Sequence, residues 1–203
     1  MDSARLETFS DGVIAIAITL LVLEIDVPRD THGDLWGALL RQWPSYFAYL
    51  ISFAVIGIIW VNHHGILSLV ATVDRPLLYL NLLVLLTVAG IPFPTALVAE
   101  HLQSEGIDAN VATAVYGGWA TFVALSFNLM WRWIVHDDRH IHRHLDVKAL
   151  RANTRRFSLG LVIYPVTIGI AFLSPIWALV VHGLVAIYYV VDQFARGGVR
   201  LEG

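Results

Sequence analysis

The chain of 203 residues contains no cysteine, which excludes disulfide bonds, thiol nucleophiles and thiolate metal sites. Charged residues are also scarce, at 14% against about a quarter in soluble domains. Hydrophobic residues reach 57%, which excludes intrinsic disorder and argues against a water-soluble enzyme. The net charge of only −3 gives no reason to expect a polyanion-binding surface, so no nucleic-acid partner is predicted. The composition predicts a membrane protein.

Six long apolar runs follow one another along the chain. Each supplies roughly 17–25 residues, the length that an α-helix needs to cross about 30 Å of hydrocarbon. A helix satisfies its own backbone hydrogen bonds in lipid, whereas an isolated strand does not. We therefore predict an all-α membrane protein with a single six-helix transmembrane domain over residues 1–203. The predicted helices cover residues 6–25, 44–69, 76–97, 109–131, 157–173 and 175–191.

The loops between these runs differ strongly in charge. Eleven of the thirteen Lys and Arg residues fall in the two termini and in alternate loops, whereas the other loops hold only Arg29 and Arg41. Because positively charged loops stay on the cytoplasmic side, we predict that both termini are cytoplasmic. This orientation agrees with an even number of helices.

The first run has an acidic residue near each end. Only twelve uncharged residues separate Asp11 from Glu24, and they cover roughly 18 Å of helix, less than the bilayer core. We therefore expect one of the two carboxylates at membrane depth, where a functional or network role is the default. On a helical wheel Asp11 points away from a stripe of Ile16, Leu20 and Leu23, so it needs a hydrogen-bond donor on a neighbouring helix.

Two segments carry a resemblance to a known family. Residues Arg5-Leu6-Glu7-Thr8-Phe9-Ser10-Asp11, with the apolar run that follows, resemble the Phe-Ser-Asp signature of the bacterial relatives of the endolysosomal transmembrane potassium channel. The segment Trp60-Val61-Asn62-His63-His64 resembles the same family. The resemblance extends over essentially the whole chain and implies a potassium-permeable cation channel in the bacterial cell membrane.

The resemblance also implies how such a channel is built. Four six-helix subunits form a homotetramer, and their first helices surround a central pore that has no Thr-Val-Gly-Tyr-Gly filter. Potassium is the permeating ion and no cofactor is expected. The implied partners are three further copies of the chain, the lipid bilayer and monovalent cations.

Particular residues receive roles by the same resemblance. The pore constriction falls on Ile16, followed by Leu20 and Leu23, and a threonine layer linked to selectivity falls on Thr19. A structural polar network is implied for Arg5, Ser10, Asp11, Trp60, Asn62, His63 and His64. An ideal helix puts Arg5 on the pore side. Either the helix begins after Arg5, or Arg5 reaches another subunit.

Simpler interpretations of these residues remain open. The Ile/Leu stripe is also what a packed helix presents to a core. Ser10 and Asp11 are good N-terminal caps, and His63 and His64 are also compatible with interfacial histidines that have no partner.

The other polar features have simple interpretations too. We interpret Pro92 and Pro94 as the outer end of the third helix, with Gly90 permitting a kink. The spacing of His136, Asp137, Asp138, His140, His142 and His144 would suit zinc or nickel. Basic residues flank that segment, so we interpret it as a solvated loop and predict no metal site. A secondary transporter and a proton-permeable channel are the alternative functions, and no enzyme is predicted because a nucleophile–base pair is lacking.

Overall fold

The computed structural model of the chain describes residues 3–29, 31–136, 140–142, 150 and 158–197, with side chains as far as 189. These residues form α-helices joined by loops, and none of the described residues belongs to a β-strand. The helices are α1 (Ser3–Leu20), α2 (Leu35–Arg41), α3 (Trp43–Leu67), α4 (Arg75–Ala89), α5 (Pro92–His101), α6 (Asp108–His136), α7 (Gly160–Leu173) and α8 (Pro175–Gly197). A short 3-10 helix, Leu21–Glu24, extends α1.

Three helical segments of the described chain are long and apolar enough to cross a membrane. They are Ser3–Glu24, Trp43–Leu67 and Arg75–His101, the last of which combines α4 and α5. Two further apolar helices, Gly160–Leu173 and Pro175–Tyr189, are shorter. These lengths and compositions make the chain an all-helical membrane protein. The predicted number of six transmembrane helices goes beyond them and stays a prediction.

The third predicted helix differs from the sequence-based expectation at its outer end. Instead of ending near Pro92 and Pro94, the helix is interrupted at Gly90 and Ile91 and begins again at Pro92, from which α5 continues to His101. Proline is well accommodated there, because the first turn of a helix needs no backbone N–H donor. The ring of Trp119 of α6 packs directly against Gly90. A side chain at position 90 would overlap this ring.

Helix α1 packs on one side of the bundle, against α3 and α4. Its buried side chains join a core that includes Ile56 of α3, Val84 of α4 and Met130 of α6. On the far side of the bundle, Gly117 of α6 lets α7 approach closely, since a Cβ there would lie 2.8 Å from Thr167 Oγ1. The fold therefore leaves α1 at the edge of the helix bundle.

The interpretation of the histidine-rich segment as a solvated loop is wrong for His140, whereas His136 and His142 are exposed. His140 is buried, its Nδ1 donates to the Thr72 carbonyl oxygen at 3.2 Å, and its Nε2 lies 3.4 Å from Asp74 Oδ2. The neighbouring Ile141 pairs with Val70 in an isolated antiparallel bridge. These contacts attach the segment to the α3–α4 loop. Asp137, Asp138 and His144 lie outside the described residues.

Candidate functional site

One face of α1 is buried completely in the subunit. Its members recur every three or four residues, so they lie above one another on the helix. All are at most 3% exposed: Leu6, Ser10, Ile14, Ala17 and Leu21. This face packs on α3 and α4 and fixes the rotation of α1 about its axis.

The opposite face of α1 is not covered by any described part of the chain. Ile16 is 62% exposed, Leu20 41% and Leu23 69%, and Thr19 is exposed beside them. Arg5 is exposed and lies within α1, which begins at Ser3. The alternative in which the helix begins after Arg5 is therefore wrong. The stripe of Ile16, Leu20 and Leu23 does not belong to the core formed by the described residues.

Thr19 holds its hydroxyl group in a defined orientation. Its Oγ1 donates to the carbonyl oxygen of Ile16 at 2.8 Å. Because the only hydroxyl hydrogen is used within the helix, the remaining lone pairs of the oxygen serve as acceptors. The exposed face thus presents one oxygen layer among branched apolar side chains.

A chain of hydrogen bonds links the buried face of α1 to both neighbouring helices. Asn81 Nδ2 of α4 donates to Ser10 Oγ at 3.0 Å, and Ser10 Oγ donates to the Leu6 carbonyl at 2.8 Å. His63 Nε2 of α3 donates to Asn81 Oδ1 at 2.8 Å. All three polar side chains are fully buried. The interpretation of Ser10 and Asp11 as helix caps is wrong, because both lie about two turns inside α1.

A second, more exposed polar cluster joins the start of α1 to the end of α3. The Trp60 indole Nε1 donates to Asp11 Oδ1 at 3.0 Å. His64 Nδ1 lies 2.6 Å from Glu7 Oε1. The interpretation of His63 and His64 as histidines without partners is therefore wrong. Glu7, Asp11 and His64 each offer a potential ligand atom, and these atoms lie within 4.8 Å of one another.

The structure thus brings together five of the seven residues of the implied network, in two separate clusters. Arg5 makes no ion pair with another described residue. Asn62 lines a separate cavity of about 500 Å³ whose walls include Tyr116 and His182. Arg5 is therefore not joined to either cluster by an ion pair with a described residue.

Sequence reasoning missed two members of these clusters. Asn81 is a solitary polar residue in an apolar run, and only the packing of α4 shows that it joins Ser10 to His63. Glu7 lies one helical turn before Asp11, so a wheel places the two carboxylates on one side. Their common neighbour His64 is far away in the chain, and spacing alone gives no sign of it.

The fold and the site define a class of helical membrane protein. In this class one face of the first helix packs against neighbouring helices and the opposite face is exposed. Residues 5–92 match the family described as "Endosomal/lysosomal potassium channel TMEM175". A Streptomyces collinus protein described as a potassium channel is 50% identical over 193 residues, covering 95% of this chain and 93% of that relative. The chain belongs to the TMEM175 family, which is a family of ion channels and not of enzymes.

Two further comparisons describe how this chain relates to other members. A crystal structure of "a lysosomal potassium-selective channel TMEM175 homolog from Chamaesiphon minutus" matches with a TM-score of 0.83 at 42% identity, covering 94% of this chain and 97% of that one. The chicken protein named "Endosomal/lysosomal proton channel TMEM175" is 38% identical over 114 residues, which are 52% of this chain and 23% of that relative. The animal protein is therefore matched over a limited part of its length.

Proposed function

We propose that this chain is the subunit of a potassium-permeable cation channel whose pore is lined by α1. The observation that carries the proposal is the exposed stripe of Ile16, Thr19, Leu20 and Leu23 on a helix whose opposite face is fully buried. The names of the Streptomyces and Chamaesiphon proteins, which match over nearly the whole chain, support the same function.

The proposed architecture is a single domain of six transmembrane helices over residues 1–203, assembled as a homotetramer in the bacterial cell membrane with both termini cytoplasmic. One copy of α1 cannot enclose a pore, whereas copies related by closed rotational symmetry can. In the most apolar stretch of the α1 segment 28% of the residues are buried, compared with 39% and 44% in the other two candidate membrane spans. This low burial leaves most of α1 available for neighbouring subunits. The uneven distribution of Lys and Arg supports the orientation.

The proposed gate is an apolar collar formed by Ile16, with Leu20 and Leu23 in further layers. Branched apolar side chains offer a permeating ion no ligands, so a narrow collar blocks conduction by dewetting. Thr19 supplies an oxygen whose lone pairs remain acceptors, because its hydrogen is donated to the Ile16 carbonyl. Such an oxygen layer coordinates a partly dehydrated cation, which supports a role for Thr19 in selectivity.

The polar residues behind α1 have a positioning role in this proposal. Ser10, through Asn81 and His63, fixes the buried face of the helix. The bond from Trp60 to Asp11 fixes the helix to α3. Arg5 lies on the uncovered side and makes no ion pair within the described subunit, so we assign it a contact with the neighbouring subunit. Asn62 and His64 belong to the same α3 segment.

A proton-permeable channel is the second candidate function. The observation that favours it is the name of the chicken relative, a proton channel that resembles about half of this chain. Both functions use the same pore helix and differ only in the ion that crosses the collar.

Ion flux through the purified protein in liposomes tests the proposal. We expect potassium flux well above that of protein-free liposomes, a smaller flux when sodium replaces potassium, and a rate far above that of a transporter limited by conformational turnover. A pH-sensitive dye inside the same liposomes distinguishes proton flux from potassium flux. Flux of protons alone would favour the second candidate, and a turnover-limited rate would favour a secondary transporter.

A further inference from the structure

The exposed polar cluster at the start of α1 has the residue types of a metal site. Glu7 and Asp11 lie one turn apart on α1, and His64 faces them from the end of α3. Their ligand atoms, one from each residue, lie within 4.8 Å of one another, and His64 Nδ1 is 2.6 Å from Glu7 Oε1. Zinc binds imidazole nitrogen and carboxylate oxygen at about 2.0–2.2 Å, so small side-chain rotations bring all three atoms around one ion.

The electrostatics of the cluster favour a divalent cation. Two carboxylates one helical turn apart repel each other unless a positive charge lies between them. Among the described residues, no Lys or Arg forms an ion pair with Glu7 or Asp11. His64 can balance at most one of the two negative charges, because it carries at most one positive charge. A divalent ion would neutralise both carboxylates at once.

The surroundings of Asp11 also suit a ligand. The Trp60 indole donates to Asp11 Oδ1 at 3.0 Å and so orients the carboxylate before any ion arrives. Outer hydrogen bonds of this kind are a regular part of metal sites, because they fix the ligand and strengthen its binding. The geometry leaves further coordination positions for water, since the protein supplies three ligands.

We propose that Glu7, Asp11 and His64 form a binding site for a divalent first-row transition-metal ion, with zinc as the representative. A mixed set of one imidazole and two carboxylates suits zinc, nickel or cobalt better than calcium or magnesium, which prefer oxygen ligands alone. An ion bound by Glu7, Asp11 and His64 would link the first turns of α1 to the end of α3. The proposal holds whether or not the chain conducts potassium.

Zinc titration of the purified full chain in detergent tests the site. After removal of metal with a chelator, the number of bound ions and their affinity are measured by equilibrium dialysis for the wild type, Glu7→Gln, Asp11→Asn and His64→Gln. We expect each variant to lose one site per chain or to bind that ion at least about tenfold more weakly, because a ligand is lost. We also expect zinc to raise the thermal unfolding midpoint of the wild type, because it binds the folded state.

His101→Gln is the matched control, because His101 Nε2 lies 3.9 Å from Glu100 Oε2 and no third ligand residue joins this pair among the described residues. This variant should bind as many zinc ions per chain as the wild type. Zinc bound by histidines elsewhere in the chain should be the same in all variants. If His64→Gln fails to fold, Glu7→Gln decides the question, since glutamine keeps the shape and a hydrogen-bonding oxygen. Unchanged stoichiometry and affinity in Glu7→Gln, or an equal loss in His101→Gln, would overturn the proposal.

Discussion

The two faces of α1 have nearly the same hydrophobicity and opposite environments. Ile14 is 2% exposed, whereas Ile16, two residues further along the same helix, is 62% exposed. The buried face also contains Ser10, which is bonded to Asn81, and the exposed face contains Thr19, which is bonded only within the helix. Hydrophobicity therefore does not determine which face of a membrane helix belongs to the subunit. In α1 the buried face is the one that carries the hydrogen bond between Ser10 and Asn81.

The two faces of α1 differ in what holds them in place. The buried face is held by packing and by the chain from Ser10 through Asn81 to His63, so it keeps α1 in one rotation. The exposed face is free to meet other copies of α1 in the proposed assembly. Changes to the two faces should therefore affect different properties.

The largest loss of stability is expected from Asn81→Leu, which removes the link between α1, α3 and α4. Leucine has a similar size but leaves Ser10 Oγ without a donor and His63 Nε2 without an acceptor. Each buried polar group that loses its partner costs roughly 1–3 kcal/mol. Denaturant or thermal unfolding in detergent measures the loss. Asn110→Leu is the control, because Asn110 is only partly buried and donates to a backbone group, the Ala171 carbonyl, at 2.8 Å. An equal or smaller loss in Asn81→Leu would contradict the role of the link.

A smaller effect, with a direct contrast between the faces, is expected from Ile14→Ala and Ile16→Ala. Ile14→Ala should lower the free energy of unfolding by about 2 kcal/mol or slightly more, which is near the low end for soluble cores. The loss is near the low end because in a membrane the isoleucine side chain is transferred from lipid and not from water. Ile16→Ala should leave the stability of the subunit within about 0.5 kcal/mol, as expected for an exposed position. Unfolding of the two purified variants measures both. Equal losses would show that the faces do not differ in packing.

The family was predictable from the sequence, and the full-length relatives confirm it. Its signal lies in two short segments, from Arg5 to Asp11 and from Trp60 to His64, which the fold brings into contact through Asp11 and Trp60. The wheel separated Asp11 from the stripe of Ile16 because helical periodicity is a local property. Apolar run length, on which the predicted helix ranges rest, is likewise a local property.

Contacts between distant parts of the chain could not be predicted in this way. Asn81 and Glu7 were missed as members of the clusters, because their partners lie on other helices. His140 was interpreted as part of a solvated loop, since its composition is polar, but Asp74 and Thr72 bury it against the α3–α4 loop. The interruption at Gly90 depends on the Trp119 ring of α6. Each of these features is decided by packing and not by local pattern.

The measurement that tests the central claim most directly is potassium and sodium flux in liposomes for the wild type, Ile16→Asn and Ile18→Asn. Ile16 is on the exposed stripe, whereas Ile18 is partly buried and packs against the core. A polar side chain in an apolar collar lowers the barrier to wetting. We expect Ile16→Asn to raise basal potassium flux and to alter the potassium-to-sodium ratio, and Ile18→Asn mainly to reduce the yield of folded protein. Equal flux in the wild type and Ile16→Asn, with a clear change of flux in Ile18→Asn, would contradict the assignment of the pore to this face of α1.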